Sequence, residues 1–156
     1  GGGDGIGHNG NVLRVPVIRL DPDLPLPTYA RPGDAGLDLL AREDVELSCG
    51  GGRAAVPTGL ALALPDGHAG FIHPRSGLAL RHGVSCLNSP GLIDSGYRDE
   101  LQVLLVNTDP SEDFRVERGN RIAQLVVQRV ELVEMHEVPE LPASLRGTGG
   151  FGHTGM

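Results

Sequence analysis

Thirteen consecutive residues, Asn88-Ser-Pro-Gly-Leu-Ile-Asp-Ser-Gly-Tyr-Arg-Asp-Glu100, gather a carboxylate, a phenol and turn-forming residues between two apolar segments. Asp94 stands between Leu92-Ile93 and Ser95-Gly96. Apolar surface beside a carboxylate leaves its proton affinity open to tuning, so Asp94 is the first candidate general base. The plainer alternative makes Asp94 a turn residue and Tyr97 a core aromatic, since Asp and Gly dominate turns. Four further patches carry related groups: Ala35-Gly-Leu-Asp-Leu39, Pro74-Arg-Ser-Gly-Leu-Ala79, Arg118-Gly-Asn-Arg-Ile-Ala-Gln124 and Arg146-Gly-Thr-Gly-Gly-Phe-Gly-His-Thr-Gly155. Phosphoryl chemistry needs guanidinium and N–H donors around developing charge, a metal ion that gathers phosphate oxygens, and a base that holds a water in line. Asp38, Arg75, Ser76, Asp94, Gln124 and Arg146 are residues of those types.

These groups must be positioned by strands. Gly83–Leu87 reads as a strand end before the central segment and Leu101–Val106 as a buried strand after it, so Asp94 rides on a loop or hairpin above a sheet. From Ala54 to Pro65 the alternation places Leu60, Leu62 and Leu64 on one face and Ala61 and Ala63 on the other. Val12–Leu20 has strand composition, with Pro16 suiting an edge. Arg31–Leu40 turns through Gly33 and Gly36 into a short strand bearing Asp38, with Asp34 near its start. Pro74–Arg81 is the one good helix candidate, about two turns long. After Ile122 the apolar parity runs Ala123, Leu125, Val127 and then shifts to Val130 and Leu132, which predicts a bulge near Gln128-Arg129 and a change of partner. Short strands, abundant turn residues and little helical periodicity indicate an all-β, jelly-roll-like antiparallel sandwich or barrel with one short helix.

The chain has 156 residues, enough for one domain with a real core. We expect a flexible leader over residues 1–11, a β domain over 12–138 and a flexible glycine-rich arm over 139–156. The net charge of −7 argues against direct nucleic-acid or membrane-surface partners. All 13 basic residues are Arg, which excludes a Walker-type loop and a lysine base and favours bidentate phosphate recognition. Cys49 and Cys86 lack metal-ligand spacing, so reduced thiols and a reducing, cytoplasmic location are expected. No apolar run approaches membrane-spanning length. His68, His73, His82 and His136 read as loop or surface residues, and Glu131, Glu134 and Glu137 as solvated positions.

In order and spacing, the five patches resemble the five motifs of the trimeric dUTP diphosphatases (dUTPases), from residue 35 to residue 155. The resemblance implies a β-clip, jelly-roll subunit and a homotrimer with sites between subunits. It implies Mg2+-dependent hydrolysis of dUTP to dUMP and pyrophosphate, which limits uracil in DNA and supplies dUMP for dTMP synthesis. Carried over by position, Asp94 would activate the water that attacks the α-phosphorus and hold the sugar 3′-hydroxyl. Gln124 would fix the α-phosphate and that water, and Arg75, Ser76 and Gly77 would hold phosphates. Asp38 would reach a phosphate-held Mg2+ through water. Asn88, Gly91 and Ile93 would read uracil, and Tyr97 would pack under deoxyribose and reject a 2′-hydroxyl. Arg146, Phe151, Gly152 and Thr154 would belong to a lid, the aromatic on the base and the Arg on the terminal phosphate.

Three positions depart from that family's pattern. Asp99 stands where Gly is usual, which raises the question of a positive φ there. Asn120 replaces an acid before Arg121, and His153 stands where Ser is common. The related dCTP deaminases carry a catalytic Glu ten positions beyond the hairpin Asp, where this chain has Leu104. A nucleotide-binding regulator on the same scaffold is the rival of a different class. It would have no need of the attacking-water groups that Asp94, Ser76 and Arg146 resemble.

Overall fold

Branched and small apolar residues alternate along most of the chain, and the computed structural model, which describes residues 12–146 and the backbone of residues 7–9, turns them into short antiparallel strands. A four-stranded sheet has the order β10 (Gly91–Ile93), β8 (His68–His73), β13 (Arg121–Arg129), β4 (Leu37–Leu40). A three-stranded sheet has the order β6 (Arg53–Pro57), β11 (Gln102–Asn107), β9 (Val84–Cys86). Two-stranded pairs join β12 (Phe114–Val116) to β5 (Val45–Leu47) and β3 (Val17–Arg19) to β7 (Leu60–Leu62). A last pair joins β1 (Gly7–Asn9), inside the segment read as a leader, to β2 (Val12–Arg14). The fold is all-β and jelly-roll-like, with the single described helix, α1 (Ser76–His82), in the predicted place. Gly83 ends it in the left-handed conformation and donates to the Ala79 carbonyl.

The core lies between the sheets and is aliphatic: Leu39, Leu47, Val56, Leu64, Val84, Leu101, Val103, Leu105, Val116 and Ile122 are all buried. Leu60, Leu62 and Leu64 share the buried face, as their alternation predicts. Pro16 separates β2 from β3, where its missing N–H breaks no ladder. β11 is one-sided rather than buried throughout. It buries Val103, Leu105 and Asn107 and exposes Gln102 and Leu104. Asn107 earns its buried place by hydrogen bonding: its amide donates to the carbonyls of Leu47 and Glu112 and accepts from the Asp109 N–H. Both cysteines are free, and burial pushes the Cys86 thiol up to about 11, so it stays protonated at neutral pH.

The bulge predicted near Gln128-Arg129 is not there. β13 pairs with β8 without interruption from Gln124↔His73 to Arg129↔His68, and the register shift lies at the other end, between Arg121 and Ala123 against β4. Nor does β13 change partner at 128–129, since it lies between β4 and β8 around Gln124 and Leu125. The parity change after Val127 marks the end of the ladder, and Leu132 beyond it is fully exposed. From residue 131 to 146 the described chain forms no strand or helix and is exposed.

Candidate active site

Strand register builds the first half of the site. Gln124 of β13 pairs with Asp38 of β4 on one side and His73 of β8 on the other, so a carboxylate and an amide share a row at one sheet end. Just past His73 the chain turns at Pro74 into α1. The Gln124 side-chain amide donates to the Pro74 carbonyl at 3.0 Å, tying the strand to the helix start. Arg75, extended at the helix N-cap, donates from Nη1 to the Arg121 carbonyl at 3.2 Å. The Arg121 guanidinium lies 3.9 Å from the Asp38 carboxylate. Ala30, Asp38, Arg75, Ser76, Gly77, Arg121 and Gln124 line an open cleft of ≈ 220 Å³. Two guanidinium groups against one carboxylate leave a local positive charge on an acidic chain, which suits a polyanion.

The same geometry assigns work to two residues that the sequence left without a role. Gly36 enters β4 directly against Gln124, and a Cβ built on it would lie 2.9 Å from the Gln124 Cβ and closer still to Oε1. Arg121 joins Asp38 to Arg75. Nothing in a single sequence reveals the Gly36 contact, because it depends on the register of β4 against β13. Arg121 sits in a patch already singled out and could be found there by its type.

The second half stands on the neighbouring part of the sheet. Gly91 and Ile93 of β10 are buried against β8 through the pairs Gly91↔Ile72 and Ile93↔Gly70. The exposed Asn88 folds its amide over Gly91, where a Cβ would come within 3.3 Å of Nδ2. Asp94 is exposed just beyond the strand, and its carbonyl accepts from the Tyr97 N–H at 3.1 Å, closing a turn. Tyr97 is not a core aromatic: it is 37% exposed, and its hydroxyl donates to the Glu100 carbonyl at 2.9 Å. Asp99 needs no positive φ, since every positive φ among the described residues belongs to a glycine. Asn120 closes its turn with its side-chain oxygen, which accepts from the Glu117 N–H at 2.8 Å.

One chain keeps the two halves apart. Asp94 lies one residue past the Ile93↔Gly70 pair and Gln124 faces His73, so they differ by four residues along the strands and by two strand spacings across the sheet. With standard spacings that is about 13 Å along and about 10 Å across, or about 16 Å in all. Asp38, Arg75, Ser76, Gly77 and Gln124 thus form one group, and Asn88, Gly91, Ile93, Asp94 and Tyr97 another. Arg146 is exposed in the terminal segment, while Phe151, Gly152, His153 and Thr154 lie outside the described residues. Among the described residues no cluster of three or more His, Cys, Asp or Glu is arranged for a metal. Asp38 is the one carboxylate lining the cleft, a donor set that fits a hard cation carried in by phosphates rather than an all-protein cage.

Comparison with known proteins identifies the family. The family model for dUTPase matches residues 23–155. The deoxyuridine 5′-triphosphate nucleotidohydrolase of Thermobifida fusca is 62% identical over 143 residues, covering 92% of this chain and 79% of that protein. The enzyme of the same name from Mycobacterium leprae is 58% identical over 144 residues, covering 89% and 93%. Among solved structures, the Staphylococcus bacteriophage 80alpha dUTPase with dUpNHpp superposes with a TM-score of 0.82 at 27% identity, covering 94% of this chain and all of that one. A dUTPase mutant from phage phi11 of S. aureus, described with a structural Mg(II) ion, shares the fold at 22% identity and a TM-score of 0.76. On the family match and these identities, the chain belongs to the dUTPase family.

Proposed function

We propose that this chain hydrolyses dUTP to dUMP and pyrophosphate, with each active site assembled from the cleft of one subunit and the hairpin of another. The family match supports the reaction, and the observation that carries the intersubunit site is the separation of about 16 Å between Asp94 and Gln124 within a chain, which follows from strand register. A base acting on a water must lie within hydrogen-bond reach of it, and so must the group that fixes the attacked phosphate. A closed ring of identical subunits satisfies both demands, because the hairpin of each chain can meet the cleft of the next. A homotrimer, the assembly implied by the motif pattern, is such a ring.

In the assembled site Arg75 and Arg121 face the phosphates, Ser76 lies near the bridge to be broken, and Gln124 fixes the α-phosphate. Asp38, the one carboxylate lining the cleft, would help hold Mg2+ brought in by the phosphates, and the ion would supply neutralisation of charge at the leaving group. Asp94 orients a water and takes its proton as the water oxygen bonds to the α-phosphorus. The bond from that phosphorus to the α,β-bridging oxygen breaks, and pyrophosphate leaves with the electron pair. Asn88 and the backbone around Gly91 and Ile93 read uracil, and cytosine would leave buried donors and acceptors unpaired. Tyr97 packs under deoxyribose and rejects a 2′-hydroxyl by shape. The terminal segment, with Arg146, Phe151, Gly152 and Thr154, closes over base and terminal phosphate and excludes bulk water. A cytoplasmic enzyme of this kind limits uracil in DNA and supplies dUMP; no helix among the described residues is long and apolar enough to cross a membrane.

The test is direct: incubation with dUTP and Mg2+ is expected to release one pyrophosphate per dUMP, with dCTP and UTP turned over far more slowly. Binding of dUTP without pyrophosphate release would favour a regulator on the same scaffold.

A further inference from the structure

Between Ile93, the last residue of β10, and Leu101, whose N–H donates to the Leu60 carbonyl, the segment read as a hairpin is an unpaired loop between two sheets, since β10 pairs with β8 and β11 with β6 and β9. Its internal bonds are local: Tyr97 N–H to Asp94, Arg98 to the carbonyls of Ser95 and Tyr97, and Tyr97 hydroxyl to Glu100. Among the described residues, the hydrogen bonds and ion pairs that fasten this loop to the rest of the fold run through the Glu100 carboxylate. Its Oε2 accepts the Gly59 N–H at 2.7 Å and receives Arg42 Nη1 at 3.2 Å. Glu100 is 19% exposed, and Arg42 behind it leads to Asp21, 12% exposed, which Arg118 grips with both terminal nitrogens. Arg118 opens the turn that leads into the strand of Gln124. An unbroken line of alternating charges therefore runs from the hairpin to the loop ahead of the cleft.

We infer that Glu100 is a positioning residue: it pins the end of the hairpin, and its carbonyl then fixes the Tyr97 ring and the Asp94–Tyr97 turn for recognition of 2′-deoxyribose. The reasoning is mechanical. The hydrogen bond that aims the Tyr97 phenol is only as well placed as the carbonyl that accepts it, and that carbonyl belongs to the residue anchored on Gly59 and Arg42. Loss of the anchor leaves the ring present and loosely aimed, which weakens shape discrimination more than affinity for phosphates. The specificity part of this inference rests on the proposed dUTP reaction, whereas the anchor itself can be read without any substrate.

The chain has no Trp and two Tyr, so Tyr29→Phe leaves Tyr97 as the only tyrosine emitter. Steady-state anisotropy of Tyr97 in the Tyr29→Phe background is expected to fall in Glu100→Ala and to return in Glu100→Gln, whose amide oxygen can still accept the Gly59 N–H. In parallel, Glu100→Ala is expected to lower the ratio of kcat/KM for dUTP over UTP by about tenfold, with Glu100→Gln within about threefold of wild type. Unchanged anisotropy in Glu100→Ala, or a fall in anisotropy with an unchanged dUTP to UTP ratio, overturns the inference. If Glu100→Ala does not fold, Arg42→Met carries the test, with a smaller loss of both signals expected and no loss of either overturning it. A wild-type enzyme that does not prefer dUTP to UTP would refute the role given to Tyr97 while leaving the anisotropy result to decide on the anchor.

Discussion

Around Asp38 and Gln124 the side chains are located by strand register, with Gly36 packed against the amide and Pro74 accepting from it; Asp94 and Tyr97 instead ride on an unpaired loop held at its ends. Register is a stiff constraint. A ladder cannot slip by one residue without turning every side chain to the other face, so Asp38 and Gln124 are fixed by the same bonds that build the sheet. A loop tethered through one carboxylate can be displaced without unfolding the domain. The contrast teaches that the cleft around Asp38 and Gln124 is preorganised by its ladder, while Asp94 and Tyr97, the base and sugar-facing ring of the proposed reaction, depend on a few identifiable contacts and, on that proposal, on a neighbouring chain.

The largest effect is expected on the hairpin. Asp94→Asn should lower turnover by about 10³-fold, the order of a lost general base, while dUTP still binds through the untouched cleft. Single-turnover kinetics and calorimetric titration separate the two quantities, and undiminished turnover would exclude Asp94 as the base. Next comes the cleft. Gly36→Ala drives a methyl group into Gln124 and should cost about tenfold to hundredfold in kcat/KM by displacing the amide. In a Gln124→Ala background the same change should have little further effect on rate, a non-additivity that a merely structural role would not produce. Full additivity of the two rate losses would separate Gly36 from Gln124.

The smallest effect concerns the charge line behind the hairpin. The Arg118 guanidinium beside Asp21 holds its carboxyl below the usual carboxylate range. A depressed folded-state value stabilises the fold above the ordinary Asp range, and the contribution is lost as pH falls through the folded value. Asp21→Asn should therefore lower Tm by a constant small amount near neutrality, with the gap to wild type closing in acid below about pH 4. A gap that persists or widens in acid would contradict that assignment.

The class of fold was legible in Leu60, Leu62 and Leu64, because burial on one face writes a period of two directly into the chain. α1 was legible for a related reason, since Pro74-Arg-Ser-Gly-Leu-Ala-Leu-Arg81 lacks that alternation. The end of β13 was misplaced as a bulge because a change of parity looks the same whether a strand bends or stops. Val130 and Leu132 are exposed, and exposure is not visible in residue type. The residue types at Asp94, Ser76 and Gln124 announced phosphoryl chemistry, and the five-patch order resembled one family. Their division into two groups did not show, because it depends on which residue of β10 faces which residue of β8 and β13. Gly36 and Glu100 were hidden for the same reason, as each acts through a partner far away in sequence.

In the proposed enzyme the cleft and the Asp94 loop of one site belong to different chains. Co-refolding equal amounts of Asp94→Asn and Gln124→Ala chains, each strongly impaired alone, tests this most directly. Random assembly into a ring should restore about a quarter of the wild-type sites, because one arrangement in four brings an intact hairpin to an intact cleft. Mixed oligomers that form and remain inactive would contradict the claim.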